Sequence, residues 1–430
     1  MNQNPAPATP DEHARGTRGP ASFCIPQAAV NALIEARADA VTIGAYLTLA
    51  CGTEASGEYS TWGLKAVRER LSVDRKRALK AIAALGEIRA RAPGGEPEPL
   101  VLGREALLAA GRTLPDGPTE RGQVLHALPA FGEALKDRVW FGSGLVRGFE
   151  SFIRPLKTLK DCGSIAARLL LMMYQRNEME RFGGLPPFGD SVWKRYAIVL
   201  DLTWGSFRMV QAGGGSEIAG IDIFQKASGE SGYESDKHGE PCWQALAALE
   251  QSGLIYPVLM TLNRNEEKHT FASGVEYGGV PEDADPLYEL DCLSRHGYKP
   301  RGEEGIAGPI SRTAGELGYA VTDSTGLFTD KYAAIAPKGN PLMVAGIYRL
   351  RFRVSNPLNV GVSSAWARIQ EGNREGMQWL HRWRQENRLP RMADAPASIP
   401  AELPDRRPEG APPLRRQTRP HPRFRKTRQF

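Results

Sequence analysis

The residues best suited to chemistry are cations. Arg75, Lys76, Arg77 and Lys80 stand in the first two turns of the stretch 74–85, where Ala78, Leu79, Ile82 and Leu85 share one helical face. On a wheel of about 100° per residue, Lys76, Arg77 and Lys80 point away from that face, to solvent. Ammonium and guanidinium groups held this way suit phosphate oxygens, and both also donate to guanine O6 and N7 at the edge of a base pair. Asp74 precedes them, where its carboxylate can accept from a free backbone N–H and complement the positive end of a helix.

Other chemistry is thinly represented. Asp283 and Asp285, with Asp291 nearby, could hold magnesium from a strand, but Pro281 and Pro286 flank the pair and mark an exposed acidic loop. No G-x-x-x-x-G-K-[ST] loop, no H-E-x-x-H pair and no G-x-S-x-G elbow occurs, and the 7 histidines are dispersed. Gly213-Gly214-Gly215-Ser216 lacks a phosphate-binding lysine and reads as a linker. The 5 cysteines, Cys24, Cys51, Cys162, Cys242 and Cys292, include no C-x-x-C, and an odd, low count argues against a disulfide framework and for a reducing cytoplasm. No catalytic residue, no metal and no cofactor is assigned, and an enzyme is not expected; the alternative is a magnesium-dependent nuclease or primase that uses Asp283 and Asp285.

The elements that must position the cations follow from spacing. Leu64, Val67 and Leu71 form one apolar stripe on a helix that Ser60 or Thr61 can cap, and this helix carries Arg68. Ser72-Val73-Asp74 is a short turn into the second helix, which Gly86 should stop. Glu87 to Arg91 then alternates, Pro93-Gly94-Gly95 turns, and Pro99 to Leu102 returns, so Arg89 and Arg91 lie on a hairpin. Upstream, Pro26–Ala36 and Ala40–Ala50 supply helices to complete a core.

Helices followed by a hairpin, with Leu64-Lys65-Ala66-Val67-Arg68-Glu69-Arg70-Leu71-Ser72-Val73-Asp74-Arg75-Lys76-Arg77-Ala78-Leu79-Lys80-Ala81-Ile82-Ala83-Ala84-Leu85 at their centre, resemble the winged-helix DNA-binding domains of prokaryotic transcription regulators and replication initiators. Ser72 stands where the turn usually has glycine. The Phe23-Cys24-Ile25-Pro26 entry also looks like replication-associated helix-turn-helix proteins of phages and plasmids. The resemblance covers under a fifth of the chain. It implies a mainly α fold with small β wings (α+β), double-stranded DNA as partner, and a wing that touches backbone or minor groove. A weaker second copy runs through Leu156–Met179, Ile218–Ala227 and Pro241–Ser252, with Gly253 leading into the strand Leu254-Ile255-Tyr256. Its last helix presents Gln244, Glu250 and Gln251, so it would serve as scaffold or homodimer surface. Two such units would resemble plasmid replication initiators.

The whole chain carries a formal net charge of +6 over 430 residues, unevenly spread. Thr61–Arg91 holds nine basic and three acidic residues, and Arg384–Phe430 holds twelve and five, so everything else is acidic. In the tail Arg406, Arg407, Arg415, Arg416, Arg419, Arg423, Arg425, Lys426 and Arg428 face one acid, Glu409. Such a tail neutralises phosphates and adds salt-sensitive affinity without sequence preference. The expected order is a disordered leader 1–23, a winged-helix domain 24–103, a connecting region 104–157, a second winged-helix-like domain 158–262, a mixed strand and helix region 263–383 and a disordered basic tail 384–430. In the mixed region, Gly346–Val354 reads as a strand exposing Arg349, Arg351 and Arg353, and Ser364–Asn387 as a helix placing Trp366, Trp379 and Trp383 in a core. No apolar run reaches membrane-spanning length, and the leader lacks a signal-peptide core. The expected role is site-preferring DNA binding in replication initiation or regulation for a plasmid or phage, alongside replication or transcription machinery. The competing expectations are a transcription regulator without a replication role, or an RNA- or host-protein-binding adaptor that uses the tail.

Overall fold

A computed structural model describes residues 22–53, 59–91, 94–109, 126–148, 154–179, 181–187, 193–201, 207–211, 218–219, 227, 240–263, 267–270, 276–279, 282–292, 332–335, 343–352, 371–378, 381, 382 and 385. It is a mixed helix and strand structure. The fold begins with β1 (Ser22–Ile25), α1 (Gln27–Glu35) and α2 (Ala40–Cys51). Every residue of α2 is buried, as expected for a helix apolar on every face, and the Asp39 carboxylate accepts from Thr42 N at 2.7 Å to start it.

Next come β2 (Tyr59–Ser60), α3 (Leu64–Leu71) and α4 (Arg75–Glu87), then the hairpin β3 (Arg89–Arg91) and β4 (Pro97–Pro99). Both α3 and α4 pack on α2, inserting Val67 and Leu71 from one and Ala78, Ala81 and Leu85 from the other. Four details differ from expectation. The residue before α3 is Gly63, with no side-chain cap; the Ser60 hydroxyl instead donates to Leu49 O at 2.6 Å, tying the loop to α2. Gly86 lies inside α4, which ends at Glu87 with Ile88 as its C-cap. Leu79 is not in the core but 46% exposed, because the small residues Ala78 and Ala81 set the buried face. The returning strand is Pro97–Pro99, and Leu100 leaves it to donate its N–H to Ile88 O at 3.0 Å.

The chain continues through β5 (Leu102–Gly103), α5 (Arg104–Ala109), β6 (His126–Ala127), β7 (Val139–Gly142), α6 (Gly144–Arg147), α7 (Pro155–Cys162) and α8 (Ser164–Gln175). β6 lies between β2 and β5, and β7 pairs with β1. The expected long helix 156–179 is broken at Gly163, whose φ of 98° lies in a region side chains avoid; the break lets α7 and α8 each pack against α2. One continuous apolar core runs from Phe23 through α2, α4, α7 and α8 to Leu350 and Phe352.

The remaining strands are β8 (Trp193–Asp201), β9 (Phe207–Gln211), β10 (Ile218–Ala219), β11 (Ile255–Leu262), β12 (Glu267–Thr270), β13 (Glu276–Gly279), β14 (Pro286–Cys292), β15 (Tyr332–Ile335) and β16 (Met343–Leu350), with α9 (Glu240–Gln251) before β11. Seven of them form an antiparallel sheet in the order β14-β11-β16-β8-β9-β15, with β10 beside β8. The expected second copy is therefore corrected. Ile218–Ala219 is a strand, not the start of a helix, and the strand after α9 is interior to a large sheet rather than one arm of a small hairpin. Glu250 is buried, accepting from the Tyr348 hydroxyl at 3.3 Å, so it is not part of an exposed helix surface.

The arginine strand is also corrected. Arg349 is fully buried and donates to Glu289 at 2.9 Å, and Ile347, Tyr348 and Leu350 are buried too. Alternation predicts one wet face, but α9 and the Phe182–Gly184 loop cover the sheet here, so both faces are dry. The sheet joins the helical core at Phe352, whose carbonyl accepts from Gly142 N at 2.9 Å and from the Tyr174 hydroxyl at 3.1 Å. A Cβ at position 142 would come within 2.6 Å of that carbonyl, so glycine is required. Residues 371–378 are helical, and Asn373 accepts from Glu289 N at 3.0 Å. Arg353, Trp366, Trp379, Trp383, the Gly213–Ser216 run, the leader and the tail lie outside the described residues.

Candidate nucleic-acid interface

The turn between α3 and α4 sets the geometry. Ser72 adopts φ 51° and ψ 54°, the left-handed conformation that a turn glycine would take, so serine preserves the bend. A non-glycine residue is strained there, and neighbours hold it. Arg154 donates to the Ser72 hydroxyl at 3.0 Å, and Lys160 donates to Leu71 O at 3.1 Å, satisfying a carbonyl at the end of α3. Sequence reasoning misses both residues, since nothing in their local pattern points to a turn more than eighty positions earlier.

Asp74 then starts α4. Its carboxylate accepts from Arg77 N at 2.8 Å, the cap expected from the sequence, and α4 runs for 13 residues. Arg75, Lys76, Arg77 and Lys80 are all exposed in its first two turns. Arg68 is exposed on α3, and Arg89 and Arg91 are exposed on β3 either side of buried Ala90. Among the described residues, none of these seven side chains takes part in an ion pair or a hydrogen bond within the chain. Arg70 is different. Its guanidinium lies 5.5 Å from the Trp62 ring centre and donates to Arg147 O at 3.1 Å, while Arg147 lies 5.3 Å from the same ring. Arg70 therefore fastens α3 to α6, although the local charge count includes it. Arg415, Arg416, Arg423, Arg425 and Lys426 lie outside the described residues.

The outward stripe of α4 consists of Lys76, Leu79, Lys80 and Ala83, at i, i+3, i+4 and i+7, all exposed. Leu79 is the residue that sequence reasoning misplaces. The available signal is Ala81: counted with Ala78 and Leu85, it swings the core away from Leu79.

Asp285 accepts from Arg181 Nε at 2.9 Å, and Arg181 also donates to the carbonyls of Glu282 and Ala284, so the acidic loop is clamped to the Arg181 turn. Among the described residues no group of His, Cys, Asp and Glu is placed to hold a metal ion. Cys24, Cys51 and Cys162 are free thiols, and burial pushes all three above the ordinary cysteine value, which disfavours the nucleophilic thiolate. No helix among the described residues is long and apolar enough to cross a membrane. Comparison with protein-family models, with curated proteins and with solved structures finds no match to this chain.

Proposed function

We propose that this chain binds double-stranded DNA with site preference, as a winged-helix protein of replication initiation or regulation in a plasmid or phage. The carrying observation is the capped helix α4, whose exposed cations have no partner within the described chain. A cation that its own fold leaves unpaired is available to an external anion. A helix on a tight turn can enter a major groove with its first two turns foremost, where Lys76, Arg77 and Lys80 stand. The β3–β4 hairpin follows directly and presents Arg89 and Arg91 to flanking backbone. The basic tail adds phosphate neutralisation by composition alone.

The test begins with selection of a preferred duplex from a random pool, followed by mobility-shift titration of the full chain. Replacing Lys76, Arg77 and Lys80 together with alanine should abolish the preference while leaving the melting transition unchanged. Deleting residues 406–430 should instead weaken every duplex alike and flatten the salt dependence, by about 0.9 in log–log slope for each phosphate no longer neutralised. Normal binding of the selected duplex by the triple variant would falsify the groove-docking assignment. Tighter binding to RNA or single strands than to duplex, under competition, would favour the adaptor role.

A further inference from the structure

The outward stripe of α4 mixes two kinds of side chain that ask for different partners. Lys76 and Lys80 ask for anions or base-edge acceptors. Leu79, 46% exposed, and exposed Ala83 lie between and beyond them and ask for an apolar neighbour. A single exposed leucine is ordinary on a protein surface. This one sits at the centre of a cationic face on a helix that follows a turn tied down by Arg154 and Lys160. An apolar protein surface pressed against it would have to strip water from both flanking ammonium groups, at a cost that an unpaired charge does not recover. The floor of a major groove presents no such conflict. It offers acceptors and phosphates to the lysines, and it holds one kind of apolar group, the C5-methyl of a pyrimidine.

We infer that Leu79 reads a pyrimidine C5-methyl group in the groove that α4 enters, and so sets part of the sequence preference. This inference rests on the DNA-docking reading above. Lys76 and Lys80 supply affinity and orientation on either side, and Leu79 supplies discrimination at one or two base pairs. Thymine carries the methyl in unmodified DNA, and 5-methylcytosine carries the same group at the same position of a C·G pair.

The experiment uses the full chain and the selected duplex. Each thymine is replaced in turn by deoxyuridine, which removes only the methyl. In a parallel set, each cytosine is replaced in turn by 5-methylcytosine, which adds only the methyl. At one or two thymines the uracil substitution should weaken binding about fourfold, the worth of one buried CH2-sized group. Leu79→Ala should weaken binding of the thymine duplex by a similar factor and bind the uracil and thymine duplexes equally. Alanine keeps the helix, and the exposed position leaves the core intact, so an unchanged melting curve accompanies the result. If 5-methylcytosine at a neighbouring position tightens binding in the unmodified chain but not in Leu79→Ala, the methyl group itself is the ligand in both bases. The inference is overturned if uracil is silent at every thymine or if sensitivity to uracil survives in Leu79→Ala. It is also overturned if Leu79→Ala weakens all duplexes alike, as it would if Leu79 served a protein partner. Loss of site preference in the Lys76, Arg77 and Lys80 triple variant together with silent uracil would sink this inference alone. An unaffected triple variant would sink the docking reading and this inference with it.

Discussion

The cations of α4 and three arginines elsewhere in the fold carry the same charge and meet opposite fates. Arg75, Lys76, Arg77 and Lys80 are exposed and have no partner within the described chain. Arg168, Arg181 and Arg349 are claimed by their own fold. Arg168 donates to Ala227 O at 2.6 Å and to Ala38 O at 3.1 Å, Arg181 clamps the 282–285 loop, and Arg349 pairs with Glu289. The two groups of cations therefore differ in whether the charge is available. Availability is set by what the backbone brings within hydrogen-bond reach, not by charge counting. Carbonyls freed at turns and a carboxylate inside the sheet capture the second group. The first stands on a helix whose other face is already filled by Ala78, Ala81 and Leu85.

The largest effect that tests this contrast is on stability. Arg349→Ala leaves the Glu289 carboxylate buried without its cation, and breaking a buried pair this way costs about 3–5 kcal/mol. Lys76→Ala, on an open helix face, should stay within about 0.5 kcal/mol. Urea unfolding of both variants measures the difference. Replacing the pair together, Arg349→Met with Glu289→Leu, should recover most of the loss, because the carboxylate is no longer stranded. Equal costs for Arg349→Ala and Lys76→Ala would mean that the two classes of cation are not distinct.

Asp74 sharpens the other side of the comparison. It is a charged group that the α3–α4 pair uses for itself, accepting from Arg77 N at 2.8 Å. Asp74→Ala should cost about 1 kcal/mol, and Asp74→Ser should restore most of it, since a serine oxygen can fill the same role. The Asp74→Ala variant should also bind duplex less tightly, because fraying of the first turn loosens Arg75, Lys76 and Arg77 together. Circular dichroism with denaturant, run beside the mobility shift, separates the two effects. Stability unchanged in both variants would show that the capping bond contributes nothing in solution.

The difference between the two regions also explains what is legible in the sequence. The α3–turn–α4–hairpin order is readable because its determinants are local: the Leu64, Val67 and Leu71 stripe, the Asp74 cap and the turn before Pro97 all act within a few residues. The sheet is not, because its partners are distant. β16 pairs with β11 across more than eighty positions and with β8 across more than one hundred and forty. Period-two alternation in Tyr348–Val354 predicts a strand to Val354, but β16 ends at Leu350 with a turn at 351–352; the alternation also says nothing about a second covering layer, so it predicts Arg349 exposed where the fold buries it. The helix Glu240–Gln251 running through Gly253 into a strand resembles α4 and its hairpin, and only the long-range pairing shows that it feeds a large sheet. In the candidate interface the cations are legible and Leu79 is not. Hydrophobicity alone assigns it to the core, whereas the small residues Ala78 and Ala81 define the packing on α2.

A titrating group inside the small sheet should give a further, acid-confined effect. His126 lies in β6 between β2 and β5, and burial pushes its imidazole below the ordinary value. The folded state therefore keeps it neutral where the unfolded chain already takes a proton. Stability from this source is present above the ordinary histidine value and is lost as pH falls through it, until the folded group protonates as well. His126→Leu should flatten the fall in melting temperature between about pH 7 and pH 5 relative to the unmodified chain. Parallel slopes for the two proteins would mean that other groups carry the acid sensitivity.

The smallest effect belongs to an ion pair that matches Arg349–Glu289 in distance and differs in setting. Lys157 and Asp161, one turn apart on α7, also meet at 2.9 Å, but their side chains are 44% and 51% exposed. The hydrogen bond from Lys157 holds the Asp161 carboxyl below the ordinary aspartate value. Its contribution is therefore present above the unfolded carboxylate value and lost as pH falls through the lowered folded one. Water screens the pair, and the lysine precedes the acid, the less favourable order along a helix, so Lys157→Ala should cost only about 0.3 kcal/mol at low salt. At about 1 M salt, where screening acts within roughly 3 Å, the cost should vanish, whereas the cost of Arg349→Ala should persist because salt does not reach the buried pair. Denaturation of both variants at low and high salt checks this. A Lys157→Ala cost that survives high salt would point instead to Lys160, which lies 3.3 Å from Asp161 and holds the end of α3. Removing its neighbour would then have disturbed the turn that carries α4.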